Sequence, residues 1–97
     1  MRKVIVVRSG PGTAGARRAL SLSATHVARG EGATLVLLGD AALLAREASA
    51  TGAYVACLAE DASMRGLAVA RLPGVRALTY AELVDLLMGE AKVVGAL

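Results

Sequence analysis

The sequence predicts an α/β fold in which a parallel sheet carries helices on both faces. Short β-branched or aliphatic runs alternate with segments of helical spacing, and the runs themselves show no alternation of polar and apolar residues. Strands of parallel sheets are buried on both faces and therefore read as continuous apolar runs. Five predicted strands with right-handed crossovers favour the flavodoxin-like order 2-1-3-4-5, in a single domain spanning residues 1–97.

Five segments are predicted as strands because apolar, often β-branched residues are bounded there by glycine or polar turn residues. In chain order they are Lys3–Arg8, Ala33–Leu38, Ala53–Leu58, Val75–Leu78 and Lys92–Val94. The first ends in the glycine-rich turn Ser9–Thr13, and Gly39 closes the second. The fifth is short and is predicted to complete the sheet.

Four segments between the strands are predicted as helices: Ala14–Arg29, Ala41–Ala48, Glu60–Arg65 and Thr79–Met88. Apolar residues recur at helical spacing in the first, and Gly30 ends it. Asp40 is expected to cap the second. The acidic start of the third suits the helix dipole. In the fourth, Thr79 and Glu82 have the spacing of a capping box. Its inward residues are expected to be Leu83, Val84, Leu87 and Met88.

The composition argues against several classes of function. The 97 residues are 56% apolar, and the only aromatic residues are two tyrosines, so the core is expected to consist of Ala, Val and Leu. The 11 basic residues are scattered, whereas nucleic acid requires a clustered patch. No apolar run is long enough to span a membrane, and one cysteine allows no internal disulfide. His26 is expected at the surface and not in a metal site. We expect a cytoplasmic protein without metal or cofactor that buries surplus apolar surface in an oligomer.

Cys57, near the end of the third predicted strand, is the candidate nucleophile. A cysteine between a strand and a helix N-terminus can be a reactive thiolate, because backbone N–H groups and the helix dipole stabilise negative charge. The same residue in an apolar core would be an inert packing residue. Glu60 and Asp61 follow it, and nearby carboxylates raise the pKa of a thiol. Both roles stay open on the residues alone.

The predicted strand order makes the first and third strands neighbours, which would place the Ser9–Thr13 turn beside Cys57 at the carboxyl end of the sheet. An anion or sulfur pocket is predicted there from the turn and the polar residues around it: Arg8, Ser9, Gly10, Gly12, Thr13 and Asp40.

The segment Gly10–Gly15 also matches the dinucleotide-binding pattern G-x-G-x-x-G between a strand and a helix. Asp40 ends the second strand, where a ribose-binding acid would lie. Pro11 removes a backbone N–H from the phosphate cradle, and the chain lacks the second half that normally completes a dinucleotide site. A small nucleotide-binding module is therefore kept as one further hypothesis.

Two stretches, Tyr54–Gly66 and Gly74–Val94, carry a resemblance to a known family. A strand leads into the acidic pair Glu60–Asp61 and then Arg65–Gly66, and a later helix reads YAELVDLL from Tyr80. In these features the chain resembles the DsrE/DsrF/DsrH (TusB/TusC/TusD) sulfur-relay family, nearest the DsrH/TusB-like branch. Its second strand and exit, VLLGD, are similar to those of the family as well.

The resemblance implies a flavodoxin-like domain that assembles as a homotrimer or homohexamer, or with DsrE/TusD-like and DsrF/TusC-like paralogues. It implies relay of sulfane sulfur between donor and acceptor proteins as a persulfide, in sulfur oxidation or tRNA thiolation, without direct nucleic-acid contact. Cys57 falls about where the family's carrier cysteine lies, although the TusB-like branch often has another residue there and a structural role. The first hypothesis is thus a sulfurtransferase-type carrier using Cys57, and the second is a non-catalytic structural subunit with Cys57 as packing. The third is the nucleotide-binding module.

Overall fold

A computed structural model describes residues 3–72, 74–89 and 92–96, which form an α/β fold around a parallel sheet. The strands are β1 (Lys3–Val7), β2 (Ala33–Leu37), β3 (Tyr54–Leu58), β4 (Val75–Leu78) and β5 (Lys92–Ala96). The helices are α1 (Ala14–Ala28), α2 (Ala45–Ala50), α3 (Ala59–Met64) and α4 (Tyr80–Gly89). A 3₁₀ turn over Gly39–Leu44 precedes α2, and a second over Val69–Arg71 precedes β4.

The strands β1 to β4 lie side by side in chain order, all parallel, and β5 pairs in parallel with the other edge of β1. The α/β class and the parallel sheet are confirmed, but the order 2-1-3-4-5 is wrong. Leu37 of β2 pairs with Val7 of β1 on one side and with Cys57 of β3 on the other, so β2 separates β1 from β3. A right-handed crossover allows the next strand on either side of the first, and handedness alone therefore could not predict this order.

The strand order distributes the helices unequally over the two faces of the sheet. Side chains from α1, the first 3₁₀ turn, α2 and α3 share one buried cluster with Ile5, Leu35 and Cys57, and we call this side the helical face. Leu83 of α4 packs with Val4 and Val36 on the opposite side, which we call the α4 face. Three successive crossovers add strands in one direction and so keep their helices on one face, whereas the return from β4 to β5 carries α4 across the other.

Small side chains dominate the contact between the helices and the helical face. Seven alanines there are each at most 2% exposed: Ala16, Ala19, Ala41, Ala42, Ala45, Ala48 and Ala62. All five residues of β2 are buried, as expected of a strand covered on both faces. The two tyrosines, Tyr54 and Tyr80, are 63% and 73% exposed, so the core is aliphatic as predicted.

Helix α1 differs from its prediction in the residues that it buries. His26, expected at the surface, is 5% exposed, and its Nδ1 lies 3.4 Å from Oε2 of Glu31. Ser23 is fully buried, and its Oγ lies 3.3 Å from Oγ1 of Thr51. The buried stripe of α1 therefore combines alanine with two polar residues, which the apolar pattern alone does not detect. Ser23 reaches a partner outside the helix, whereas Nδ1 of His26 has no hydrogen-bond partner among the described residues.

The predicted helix Ala41–Ala48 is also different in the structure, since the 3₁₀ turn occupies its first half and α2 its second. Asp40 lies inside the 3₁₀ turn and makes no cap, because its carboxylate is bound by Arg65 instead.

Helix α4 begins with the predicted capping box. The Thr79 N–H donates to Oε1 of Glu82 at 2.9 Å, and the Glu82 N–H donates to Oγ1 of Thr79 at 3.2 Å. Leu83 is buried as expected. Leu87 packs against the same cluster, also as expected. Val84 and Met88, however, are 36% and 83% exposed, and Leu86 faces the sheet instead. No helix in the described part of the chain is both long and apolar enough to cross a membrane.

Candidate functional site

The connections that leave the neighbouring strands β3 and β4 run in opposite directions across the sheet. We call the place between the carboxyl ends of these two strands the strand reversal. The chain leaves β3 for α3 on the helical face, and it leaves β4 for α4 on the opposite face. Open α/β sheets bind ligands outside the carboxyl ends of the strands at such a reversal. The predicted reversal between β1 and β3 is wrong because those strands are not neighbours. Cys57 is the next-to-last residue of β3 and pairs with Ala77 of β4.

The Cys57 side chain lies in the buried cluster of the helical face and is 0% exposed. Burial, and secondarily the carboxylate of Asp61, raise the pKa of the Cys57 thiol above its ordinary value of 9.0. The thiol is therefore protonated at neutral pH, and the thiolate is the form that acts as a nucleophile. In this arrangement Cys57 packs as a small apolar side chain.

A cluster of polar contacts fastens α3 to the first 3₁₀ turn. Arg65 donates from Nε and Nη2 to Oδ1 of Asp40, at 3.2 and 2.8 Å, and from Nη1 to the carbonyl oxygen of Asp61 at 3.1 Å. The Gly39 N–H donates to Oδ2 of Asp61 at 2.8 Å. We call Gly39, Asp40, Asp61 and Arg65 the α3 clamp. It holds α3 against the segment that follows β2, with Cys57 in the core below.

The Ser9–Thr13 turn caps α1. Oγ1 of Thr13 accepts from the Ala16 N–H at 3.1 Å and donates to the carbonyl oxygen of Gly10 at 2.8 Å. These bonds occupy groups that a phosphate cradle would use. Gly12 has φ of 83°, a conformation that favours glycine.

The structure brings together only part of the predicted anion or sulfur pocket. A Cβ on Gly10 would lie 3.2 Å from Cβ of Asp40, so the turn and Asp40 are in close proximity. Cys57 is separated from the turn by β2, since β1 and β3 lie two strand spacings apart, about 10 Å. Arg8 is exposed at the end of β1.

Arg65 is the site residue that the sequence analysis did not assign. Its spacing from Asp61, four residues along α3, is the signal that predicts a contact within the helix. The stronger contact, with Asp40, depends on the position of the 3₁₀ turn and cannot be predicted from the local sequence around Arg65.

Helix α4 and β5 expose a second feature, an apolar surface. Tyr80, Val84 and Met88 recur every four residues along one flank of α4, and Val93 of β5 is 43% exposed. Val93 pairs with Val4, whose side chain lies on the α4 face. We call the three residues on α4, Tyr80, Val84 and Met88, the α4 stripe. Apolar side chains grouped in this way are typical of a surface that contacts another protein.

Within the described residues no group of three or more His, Cys, Asp or Glu side chains is arranged to hold a metal ion. Over the residues that the structure describes, the protein has a parallel α/β fold with three helices on one face, one on the other, and a buried cysteine beside the strand reversal.

A solved structure, that of the ychN protein from E. coli, is similar to it over 100% of both chains, with a TM-score of 0.80 and 19% sequence identity. This similarity establishes a shared fold. No protein-family model and no curated protein sequence matches the chain.

Proposed function

We propose that this chain is a structural subunit of a cytoplasmic sulfur-relay complex, in which Cys57 is a packing residue. The complete burial of Cys57 on the helical face carries the proposal. A carrier thiol must be reached by both a donor and an acceptor, and a buried thiol with a raised pKa meets neither requirement. The resemblance of Tyr54–Gly66 and Gly74–Val94 to sulfur-relay proteins supplies the class of complex.

The α4 stripe supports assembly as the role of the subunit. Met88 is 83% exposed. Removing such a side chain from water against a neighbouring subunit lowers the free energy of the assembly. We propose that the stripe packs against another subunit. This subunit is a second copy in a homotrimer or homohexamer, or a DsrE/TusD-like or DsrF/TusC-like paralogue that holds the carrier cysteine.

A persulfide carrier is the second candidate, and the position of Cys57 favours it. The residue lies beside the strand reversal, and its register partner Ala77 is exposed on the edge strand β4. Displacement of the six-residue helix α3 would open the thiol to solvent. The Cys57 thiolate would then attack the terminal sulfur of a donor persulfide, forming a persulfide on Cys57 and releasing the donor thiolate. An acceptor thiolate would remove that sulfur and regenerate Cys57.

Mass spectrometry of the native protein distinguishes the two candidates. The protein is treated with iodoacetamide at neutral pH, and separately with a cysteine desulfurase and cysteine, beside Cys57→Ala. The structural role predicts no alkylation until the protein is unfolded, and no gain of sulfur. Gain of one reductant-labile sulfur atom in the parent, absent from the variant, would overturn the structural role and establish the carrier.

A further inference from the structure

Helix α4 covers only part of its face and leaves a pocket of about 480 Å³ beside the β4 edge. The sheet contributes Thr34, Ala56 and Leu78 to its lining, and α4 contributes Asp85 and Leu86. Ligand pockets in proteins have volumes of about 300 to 1,000 Å³ and combine apolar lining with a few polar groups. The pocket lies on the opposite face of the sheet from Cys57, so neither candidate for the function of that residue accounts for it.

Thr34 is the buried polar group of the pocket. Its residue exposure is 5%, and Oγ1 has no hydrogen-bond partner among the residues that the structure describes. A buried hydroxyl without a partner costs free energy. Oγ1 itself is closed to solvent, so Thr34 contributes to the wall of the pocket and does not offer a hydrogen bond to a ligand.

The charges at the rim favour a cation. Glu82 is already engaged, since it accepts from the Thr79 N–H and lies 3.4 Å from Nη2 of Arg76. Asp85 lies in the lining one turn further along α4 and has no such partner among the described residues. The Arg76–Glu82 pair is neutral overall, which leaves the carboxylate of Asp85 as the uncompensated charge among the described residues of the lining. Tyr54, 63% exposed, adds an aromatic surface of the kind that attracts cations.

We propose that this pocket binds a small organic cation with an apolar body. The body packs against Ala56, Leu78 and Leu86, and its ammonium group pairs with Asp85 beside the ring of Tyr54. Val84 and Met88 lie on the flank of α4 away from Leu86, so this site is separate from the α4 stripe and goes beyond the proposed function.

Phenethylammonium is the probe, titrated into the isotopically labelled full chain and followed by two-dimensional amide NMR. Its matched control is 3-phenylpropanoate, which has the same aromatic body and the opposite charge. We expect the cation to shift amide signals around Ala56 and Asp85 in a saturable way, and the anion to bind at least about tenfold more weakly.

Two substitutions test whether the carboxylate of Asp85 is responsible for binding of the cation. Asp85→Asn, at an exposed position, is expected to weaken phenethylammonium binding about tenfold, whereas Glu47→Gln, an exposed carboxylate on α2, leaves the affinity unchanged. The amide spectrum of each free variant shows directly whether it is folded. Equal binding of the anion, unchanged affinity in Asp85→Asn, shifts confined to other surfaces, or no saturable shift at millimolar probe would each overturn the proposal. Cys57→Ala is expected to bind the probe normally, so the site can fail or succeed independently of the proposed function.

Discussion

Arg65 connects α3 to the first 3₁₀ turn through two hydrogen bonds to Asp40, a residue 25 positions earlier in the chain. The Arg65 side chain is 22% exposed and that of Asp40 is 73% exposed. Water screens the exposed end of the pair, so its contribution is well below that of a buried charged hydrogen bond. The bond from Arg65 to the carbonyl oxygen of Asp61 is better shielded. At the scale of single residues, the α3 clamp therefore fastens to the first 3₁₀ turn a helix whose Ala62 shares the buried cluster with Cys57.

Arg65→Ala is expected to lower the free energy of unfolding by about 1 kcal/mol, because it removes three hydrogen bonds of which two are largely solvent-screened. It is also expected to accelerate alkylation of Cys57 in the native protein, since α3 opens more often. Urea unfolding and timed iodoacetamide labelling measure the two effects. Arg17→Ala, an exposed arginine on α1, is the control; an Arg65→Ala protein that matched it in both assays would refute the role of the clamp.

Substitutions at Cys57 test whether the side chain is a packing residue. Cys57→Ala is expected to cost about 1 kcal/mol through the small cavity that it leaves. Cys57→Ser is expected to cost more, by about 1–3 kcal/mol, because it buries a hydroxyl that is more polar than the thiol. Urea unfolding of both variants measures the order. If Cys57→Ser were as stable as the parent, the side chain would have to reach water or a polar partner.

Some residues of the site could be predicted from sequence and others could not. The apolar run around Cys57 left both burial and reactivity open, because the same run fits a strand end or a core. Asp40 was predicted to be a helix cap because its local sequence is typical of one. Its actual partner, Arg65, is distant in the chain. The burial of Ser23 was not predicted for the same reason, because its partner Thr51 lies 28 residues away. His26 is buried although its Nδ1 has no hydrogen-bond partner among the described residues, and no local signal predicts this.

At the scale of elements, α4 follows its local sequence closely. The capping box provides hydrogen-bond acceptors for two N–H groups at the start of the helix, those of Thr79 and Glu82. The four-residue segment from Thr79 to Glu82 is sufficient to predict it. The bounds of β4 were also predicted correctly, because local sequence marks both of its ends. The segment before α2 was not, because an alanine-rich stretch carries no local signal that separates a 3₁₀ turn from an α-helix.

Thr79→Ala is expected to destabilise the protein by about 1 kcal/mol, because the N–H of Glu82 loses its side-chain acceptor at the helix start. Thr79→Ser retains the hydroxyl and is expected to retain most of that stability. Thermal unfolding compares the two with the parent. Equal losses in both variants would mean that packing of the threonine methyl group, and not the cap, is responsible.

Glu82 makes the stability of α4 depend on pH. The hydrogen bond from the Thr79 N–H, more than any other contact, holds the pKa of Glu82 below its ordinary value of 4.5. A carboxyl group with a lowered pKa in the folded state stabilises the fold above its ordinary pKa, and this contribution is lost as the pH falls through the lowered value. Glu82→Gln is therefore expected to flatten the decline in stability below pH 4.5, measured by urea unfolding across acidic pH. An identical acid profile in parent and variant would contradict the assignment.

The whole molecule has a strand order that its elements do not specify. Each predicted strand is compatible with either side of its neighbour, and both resulting orders have right-handed crossovers. The continuous apolar run of β2 predicts that the strand is central in the sheet, but it does not predict which strands lie on either side of it. The consequence for the site was large, because the wrong order brought the Ser9–Thr13 turn next to Cys57.

The uneven coverage of the sheet leads to a prediction about assembly. Val84→Glu and Met88→Glu place charge on the α4 stripe, and both are expected to shift an oligomer towards smaller species, because an interface would have to bury an unpaired carboxylate. Light scattering after size exclusion measures the mass. Met64→Glu, an 81% exposed methionine on α3, is the matched control and is expected to retain the oligomer. A monomeric parent, or oligomers unaffected by all three changes, would remove the stripe as an interface.

The sequential order of β1 to β4 also bears on how the chain is made. Each of these strands pairs with the strand synthesised immediately before it, so the sheet can extend one strand at a time as the nascent chain leaves the ribosome. Contacts between near neighbours in sequence close with little loss of entropy and form quickly. The helical face is covered as it grows, whereas Val4 and Val36 stay bare until α4 emerges. The late arrival of α4 makes that face the one a chaperone would meet during translation.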